Sequence, residues 1–237
     1  MNDLAQLSKT HIDWELTPAQ LAAFDDYERL LVEWNTRLNL TALLTPEQIH
    51  IQHFLDSLTC LHFLRSEPAA ALIDVGTGAG LPGLALKIVL PDLRVTLVDS
   101  VGKKIDFCRL VAETLGMSDV LAVKARAEEI GRDPSHRERY EWAVARAVGP
   151  FSVVMEYLLP LVRRGGHALA QRGQAGSREA DEALPVVALL GGTAPQAHTV
   201  QLPGLDQRRT LIAVRKVAPT PAEFPRRVGV PAKRPLL

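Results

Sequence analysis

A glycine-rich stretch between two short apolar runs constrains the fold of this chain more than any other feature of its sequence. Residues 71–99 contain an apolar run, a loop of small residues, an amphipathic segment and a second apolar run that ends in Asp99. This order predicts a strand, a tight loop, a helix and a second strand. A carboxylate at the end of the second strand is placed to accept hydrogen bonds from ribose hydroxyls, which indicates a nucleoside-containing cofactor. Glycine permits positive φ and lets backbone N–H groups approach a bound molecule, and the loop has it at Gly76, Gly78, Gly80 and Gly83.

The spacing of these glycines leaves open which nucleoside compound binds. Gly78, Gly80 and Gly83 spell G-x-G-x-x-G, the pattern of dinucleotide-binding loops, and a ligand-free tight turn is a further alternative. Asp74 disfavours NAD, because its carboxylate would repel a pyrophosphate and attract an ammonium or sulfonium group. The D-x-G-x-G-x-G pattern that begins at Asp74 resembles the first motif of S-adenosylmethionine-dependent methyltransferases.

Composition excludes several classes of protein. The chain has 237 residues, of which 47% are hydrophobic, enough for one core or for one core with a helical appendage. It has no uninterrupted apolar run of about 18 residues, and its start lacks the basic and then apolar order of a signal peptide. Cys60 and Cys108 stand at unrelated spacing. We therefore expect a cytoplasmic protein without a membrane span.

Two helix-start signals predict a helical appendage over residues 1–66. Thr17 and Thr45 are each followed by proline, and by glutamine three residues further on, which is the pattern of a capping box. The apolar positions that follow predict amphipathic helices over residues 17–38 and from 45 to about 64.

Two histidines on the second of these helices are candidate metal ligands. His50 and His53 share one helical face, but no cysteine or second histidine pair stands nearby at ligand spacing. We predict no metal site, and we interpret His53 and Asp56 as hydrogen-bonding residues on the helix surface or between helices.

The rest of the chain alternates between strand and helix patterns, as in a parallel sheet with crossover helices. Residues 197–202 and 209–217 depart from this alternation, since they form two strand-like runs joined by a short Pro-Gly loop, which predicts a hairpin with an antiparallel edge strand. We therefore predict an α/β fold of the Rossmann-like class I methyltransferase type, with a seven-stranded, mostly parallel sheet over residues 67–220. The basic, proline-punctuated tail, residues 221–237, is expected to lie on or beside this core as an extended surface arm.

Further motifs extend from about residue 30 to residue 237. In chain order they read WNTRLNLTAL, HFLDSL, LIDVGTGAGLPGLAL, TLVDSVGKKIDFCR, KARAEEI, AVARAV and FPRRVGVPAKRPL. Together they resemble the bacterial small-subunit ribosomal RNA methyltransferase G family, also called glucose-inhibited division protein B. The resemblance implies methyl transfer from S-adenosylmethionine to N7 of a guanine in the 530 loop of 16S rRNA. Its implied partner is 16S rRNA or the small ribosomal subunit.

Matching positions to the family's motifs implies which residues contact the cofactor. The resemblance places contacts in the glycine loop, directly after the third predicted strand, and at Arg146. Because an arginine in an apolar run is costly to bury unpaired, Arg146 should end its strand facing a carboxylate or a phosphate, with a purely structural ion pair as the alternative. With Asp74 at the methionine end and Asp99 at the ribose, the predicted cofactor-binding residues are Asp74, Gly76, Gly78, Gly80, Leu81, Asp99, Ala127, Glu128 and Arg146.

Basic residues after the fourth predicted strand are expected to form a face for RNA phosphates around the cofactor mouth. The last 35 residues hold eight Lys or Arg against two Asp or Glu. Arg172 stands where family members commonly carry lysine, so the charge is kept on a planar guanidinium. For each residue the alternative is a solvated surface charge. The predicted RNA-binding residues are Arg163, Arg164, Arg172, Arg226, Arg227, Lys233 and Arg234.

The implied chemistry needs no acid or base. Guanine N7 has an in-plane lone pair and no proton, so it can attack the sulfonium methyl group directly. We therefore predict no catalytic residue and expect positioning to supply most of the rate. Two other functions stay open at this point: a methyltransferase of the same fold with a different substrate, and a non-enzymatic nucleotide-binding or NAD-binding protein. The protein is expected to be a monomer.

Overall fold

The computed structural model describes residues 4–43, 45–67 and 69–236, which form a mixed β-sheet with helices on both faces. The strands are β1 (Ala71–Val75), β2 (Arg94–Asp99), β3 (Val120–Lys124), β4 (Tyr140–Arg146), β5 (Val162–Arg172), β6 (Gln196–Val200) and β7 (Arg209–Arg215). The N-terminal helices are α1 (Leu4–Ile12), α2 (Pro18–Leu38), α3 (Pro46–Ile49), a π-helical segment (His50–Leu55), α4 (Asp56–Leu58) and α5 (Leu61–Leu64). The later helices are α6 (Gly83–Val89), α7 (Gly102–Thr114), α8 (Ala127–Ile130), α9 (Phe151–Leu158), α10 (Gly176–Glu182), α11 (Leu184–Leu189) and α12 (Val230–Lys233).

The sheet has the strand order β3-β2-β1-β4-β5-β7-β6, and β1 to β5 are parallel. β7 pairs antiparallel with both β5 and β6. The predicted fold class, a seven-stranded and mostly parallel α/β sheet closed by a hairpin, is therefore confirmed. The chain moves outward from β1 to β3 and then returns to β4, so the strand order reverses between β1 and β4.

Two hydrophobic clusters cover the two faces of the sheet. Phe54 and the other apolar residues of the N-terminal helices pack on one face together with α6 and α7. Phe151 of α9 belongs to the cluster on the other face. Because successive strand residues point to opposite faces, Leu72 lies in the first cluster and Ile73 in the second. The N-terminal helices thus share a core with the sheet, and a domain boundary at residue 66 stays a prediction.

The N-terminal segment is more interrupted than its sequence pattern predicts. Thr17 and Thr45 both form the predicted capping boxes. The second predicted helix is not continuous, however, because α3 widens into the π-helical segment and a turn separates α4 from α5. α1 is an additional helix that no capping pattern predicted, and its Leu4 and Leu7 are buried. Within the described residues, none of the helices is both long and apolar enough to cross a membrane.

The C-terminal tail packs against the core and includes the short helix α12, whereas its sequence pattern predicts an extended arm. Phe224 is buried in the cluster around α9. Arg137 donates to the backbone carbonyl oxygens of Thr220 and Phe224 at 2.8 and 2.7 Å. Prolines interrupt the periodicity of the tail, so its buried apolar residues leave no helical or strand pattern that the sequence could show.

Candidate active site

The carboxyl ends of β1, β2, β3 and β4 surround a cavity of about 400 Å³ at one edge of the sheet, here called the first cavity. Open parallel sheets bind ligands at this edge, where the strand order reverses. The structure brings four predicted cofactor residues together there, Gly76, Asp99, Ala127 and Glu128. Their contact with a cofactor stays a prediction.

Gly76 makes the turn from β1 into the glycine loop. Its φ is +73°, and a Cβ atom at this position would lie 2.8 Å from Cγ2 of Val148. The N–H groups of Gly76 and Thr77 both donate to the carbonyl oxygen of Val98, at 2.8 and 3.0 Å. A side chain would therefore clash and strain the turn, so the wall of the cavity here is bare backbone.

Asp99 ends β2 with its carboxylate held by backbone on both sides. Oδ2 accepts a hydrogen bond from the N–H of Gly78 at 3.0 Å, and Oδ1 accepts one from the N–H of Val101 at 2.8 Å. These bonds fix the carboxylate at the wall of the first cavity. Each oxygen keeps a further lone pair, so Asp99 can still accept hydrogen bonds from a ribose.

Asp74 lies fully buried beneath the glycine loop. Its Oδ2 accepts hydrogen bonds from Oγ1 of Thr77 at 2.7 Å and from the N–H of Gly83 at 2.9 Å. Its Oδ1 has no hydrogen-bond partner among the described residues. Burial raises the pKa of Asp74 to about 6, against the lowering effect of these bonds and of Arg146. A buried carboxylate oxygen without a donor is costly, and a cationic ligand such as the ammonium end of S-adenosylmethionine would relieve that cost.

Gly80 and Leu81 shape the loop and do not line the first cavity. A Cβ on Gly80 would lie 2.7 Å from the hydroxyl of Tyr27, which donates to the carbonyl oxygen of Ala79. Tyr27 is fully buried, and burial raises its pKa. Leu81 is also buried, and its N–H donates to the carbonyl oxygen of Thr77 at 3.0 Å. The N-terminal helix α2 thus supports the glycine loop directly.

The C-terminal tail supplies one wall of the first cavity, through Val228, Gly229 and Ala232. Oε1 of buried Glu128 accepts a hydrogen bond from the N–H of Gly229 at 2.8 Å and lies 3.5 Å from the hydroxyl of Tyr157. Burial, with the negative charge of Glu128, raises the pKa of Tyr157 to about 12. Glu128 therefore couples the tail to the cofactor-sized cavity, a contact that the sequence pattern does not reveal.

A second cavity, of about 460 Å³, lies at the same edge of the sheet. Arg146 and Ala147 line this second cavity, whereas the next residue, Val148, lines the first. The backbone that follows β4 therefore borders both cavities. The polar residues around the second cavity are Gln52, His53, Asp56, Gln171, Arg172 and Arg209.

Arg146 ends β4 and faces a carboxylate of its own chain. Its Nη1 donates to the carbonyl oxygen of Gln52 and to Oδ2 of Asp56, both at 3.1 Å. Burial and the charge of Arg146 lower the pKa of His53 to about 4, so this imidazole is neutral near pH 7. His53 also shares a 2.7 Å hydrogen bond with Oγ1 of Thr41. The expected carboxylate is thus Asp56, and the cofactor contact of Arg146 stays a prediction.

Two of the predicted RNA-binding residues lie at the opposite edge of the sheet. Arg163 and Arg164 begin β5, whose first residue pairs with Tyr140 at the start of β4. Arg163 is paired with Glu141 at 2.9 Å. The expectation that these two arginines surround the cofactor mouth is wrong, because in a parallel sheet the amino end of a strand is a full strand length away from the carboxyl edge.

Two others are engaged within the chain. Arg172 donates to Glu179 and to the carbonyl oxygen of Gly149. Arg226 forms a two-pronged pair with Glu156, whose side chain is 0% exposed. Three predicted RNA-binding residues remain exposed and, within the described part of the chain, form no ion pair: Arg227, Lys233 and Arg234.

Arg209 is a basic residue at the second cavity that was absent from the predicted set. It begins β7, and because β7 is antiparallel to β5, its first residue lies at the carboxyl edge of the parallel strands. Its Nε lies 3.4 Å from Oδ1 of Asp56. The predicted hairpin could have indicated this position, because a strand that runs antiparallel to its neighbour begins at the edge of the sheet where that neighbour ends.

Solved structures share the fold of this chain. An O-methyltransferase from Bacillus cereus, crystallised in complex with SAH, has a TM-score of 0.57 at 17% identity, covering 81% of this chain and 91% of the other. TrmN from Thermus thermophilus has a TM-score of 0.53 at 19% identity, covering 69% of this chain and 48% of the other. With its glycine loop at the point where strand order reverses, the chain has the fold of the class I methyltransferases.

Sequence relatives narrow this class to one family. The family model described as rRNA small subunit methyltransferase G matches residues 20–210. A protein of that name from Desulforamulus reducens is 40% identical over all of both chains, and one from Roseiflexus castenholzii is 46% identical over all of both chains. This chain therefore belongs to the rRNA small subunit methyltransferase G family, as its motifs predicted.

Proposed function

We propose that this protein transfers the methyl group of S-adenosylmethionine to N7 of a guanine in the 530 loop of 16S rRNA. In this proposal the first cavity holds the cofactor and the second holds the guanine. The observation that carries it is that consecutive residues after β4, Ala147 and Val148, line the second and the first cavity respectively. A methyl donor in the first cavity and a guanine in the second would therefore both border the backbone at Ala147 and Val148.

The residues around the first cavity fit the parts of the cofactor. Asp99 lines this cavity and can accept hydrogen bonds from the ribose hydroxyls. Asp74 lies buried directly before Val75, a residue of the cavity wall, and its unpartnered Oδ1 suits a cationic group. Ala127 and Glu128 begin α8, shortly after β3, where the family resemblance implies further contacts. When bound, the cofactor supplies an electrophilic methyl group on a sulfonium centre.

The residues around the second cavity suit a reaction that needs no proton transfer. Guanine N7 already carries a free lone pair, so the protein has only to orient the base towards the methyl group. His53, with its pKa lowered to about 4, adds no positive charge beside the purine. The carboxylate of Asp56 partly offsets the positive charge that develops on the base as the methyl group arrives.

Methyl transfer from labelled S-adenosylmethionine to 16S rRNA and to small subunits, both from a strain that lacks the modification, tests this function. We expect one labelled guanine in the 530 loop, located by mapping the modified nucleotide. Arg164→Ala changes a basic residue at the opposite edge of the sheet, away from both cavities, and this variant should retain wild-type methyl transfer. Label on another base, or on a protein, would exclude the proposed substrate.

We further infer that the protein acts in the cytoplasm as a monomer, on 16S rRNA or on the small ribosomal subunit. Residues of a single chain line both cavities, so no second copy is needed to complete either of them. Light scattering should then give a mass near the 25.9 kDa of one chain, and a mass of two chains would contradict this inference.

A further inference from the structure

Two buried side-chain oxygens at the second cavity lack hydrogen-bond partners among the described residues: Oδ1 of Asp56 and Oε1 of Gln171. The side chain of Asp56 is 4% exposed, and Gln171 is 6% exposed. Buried acceptors in proteins are nearly always satisfied, and leaving one without a donor is costly. Two such atoms at one cavity indicate that a ligand supplies the donors.

The remaining bonds of Gln171 and Asp56 fix the direction of these oxygens. Nε2 of Gln171 donates to the backbone carbonyl oxygen of Asp56 at 2.7 Å and to Oγ1 of Thr59 at 3.3 Å. Since a carbonyl oxygen can only accept, this contact must be made by the amide nitrogen, which leaves Oε1 as the unpaired atom. The two acceptors are thus tied to each other through the side chain of one and the backbone of the other.

The two arginines beside Asp56 leave one of its oxygens available. Arg146 donates to Oδ2 at 3.1 Å. Nε of Arg209 lies 3.4 Å from Oδ1, within ion-pair distance but without hydrogen-bond geometry. The π-helical segment His50–Leu55 ends directly before Asp56, and such segments occur frequently at functional sites.

We propose that Asp56 and Gln171 accept hydrogen bonds from N1–H and from the 2-amino group of the target guanine, and so select guanine at this site. This inference rests on the proposed function. Guanine presents these two donors side by side on its Watson–Crick edge, one of the two edges by which proteins read unpaired RNA bases. Adenine presents an acceptor at N1 and has no 2-amino group, so it would leave both oxygens unsatisfied. Binding by this edge leaves N7, on the Hoogsteen edge, free to react.

Substrates that differ by one functional group test the proposal on the wild-type protein. 16S rRNA assembled by ligation carries either guanosine or inosine at the target position; inosine keeps N1–H and N7 but lacks the 2-amino group. We expect wild-type kcat/KM to be at least tenfold higher for the guanosine substrate. Equal rates on both substrates would overturn the base-reading role alone. Absence of transfer to the guanosine substrate, with S-adenosylmethionine still raising Tm, would overturn the proposed function and this inference with it.

Variants distinguish base reading from a structural role. The two variants are Asp56→Asn and Gln171→Met. We expect kcat/KM of at least one of them to fall tenfold or more on the guanosine substrate but less than threefold on the inosine substrate. Arg209→Lys, which keeps both acceptors, should retain the wild-type ratio. Equal losses on both substrates in both variants would show that these residues only support the fold. A Tm shift with S-adenosylmethionine verifies that each variant is folded, and if Asp56→Asn is not, Gln171→Met and the wild-type comparison decide.

Discussion

Asp56 and Arg146 form a 3.1 Å ion pair, although 90 residues separate them in the chain. The pair joins the N-terminal helical segment to the end of β4, and both side chains are largely buried, at 4% and 19% exposure. Breaking a buried pair by removing one partner leaves an uncompensated charge, so both residues are constrained together. The second cavity therefore depends on a contact between the helical segment and the sheet.

We expect the affinity for S-adenosylmethionine to depend on the ionisation of Asp74. The pKa of this carboxyl is raised to about 6 in the free protein, and a bound cation favours its charged form. Affinity should therefore rise with pH through about pH 6 and level off near pH 7, being about tenfold lower at pH 5 than at pH 7. Calorimetric titrations across this range measure the change.

Asp74→Asn is the matched variant for that titration. It should bind S-adenosylmethionine about 10- to 100-fold more weakly, as expected for a lost hydrogen bond to a charged group, and its affinity should not change between pH 5 and pH 7. If the affinity of the variant varied with pH as that of the wild type does, Asp74 would be ruled out as the titrating group.

The raised pKa of Asp74 has the opposite effect on the stability of the free protein. The free folded protein holds this proton more tightly than the unfolded chain, whose aspartate pKa is 3.8, so its free energy of unfolding should decrease as pH rises from about 4 to 6.

Gly76→Ala should impair cofactor binding and stability together, because it adds a clash with Val148 to the cost of a positive φ. Gly116→Ala is the matched control, since Gly116 has a φ of +61° and nothing within 4 Å of an added Cβ. The control should lose about 1 kcal/mol in urea unfolding, and Gly76→Ala about 1–3 kcal/mol more. Val148→Ala in the same chain should recover part of that difference. No recovery would mean that the clash is not the cause.

Arg226→Ala should destabilise the protein, because it leaves the fully buried carboxylate of Glu156 without its charged partner, with only the backbone N–H of residue 226 still donating to it. Removing one member of such a pair costs about 3 kcal/mol. Arg227→Ala, at the neighbouring exposed position, should change the free energy of unfolding by less than about 0.5 kcal/mol. Urea unfolding of both variants measures the contrast, and similar stabilities would show that the pair with Glu156 does not hold the tail.

The exposed basic residues of the tail should contribute to RNA affinity by neutralising phosphates. A combined Arg227→Ala, Lys233→Ala and Arg234→Ala variant should bind 16S rRNA more weakly. The slope of its log affinity against log salt should be shallower by about 1 for each phosphate that the variant no longer neutralises. Arg163→Ala with Arg164→Ala, at the far edge of the sheet, is the control and should keep the wild-type slope. A variant slope equal to wild type would exclude the tail from RNA binding.

The glycine loop and the basic residues of β5 show which parts of the site the sequence could predict. Residues close together in sequence, such as those from Asp74 to Gly83, follow from local rules: a strand must end, a turn needs glycine, and a helix must begin. Arg163 and Arg172 are as close in the chain, yet they stand at opposite ends of β5. Strand direction separates them, and a list of basic residues in chain order carries no such information.

The sequence by itself determined the order of strands and helices, the glycine loop with its two aspartates, and the family. These depend on periodicity and short motifs that act over a few residues. Only the tertiary structure decided that Asp56 faces Arg146, that Arg209 joins them, and that the tail closes the first cavity against Glu128. Each of those contacts joins residues far apart in the chain. They form because the carboxyl ends of the parallel strands, the start of an antiparallel strand and a helical segment packed on the sheet all meet at one edge.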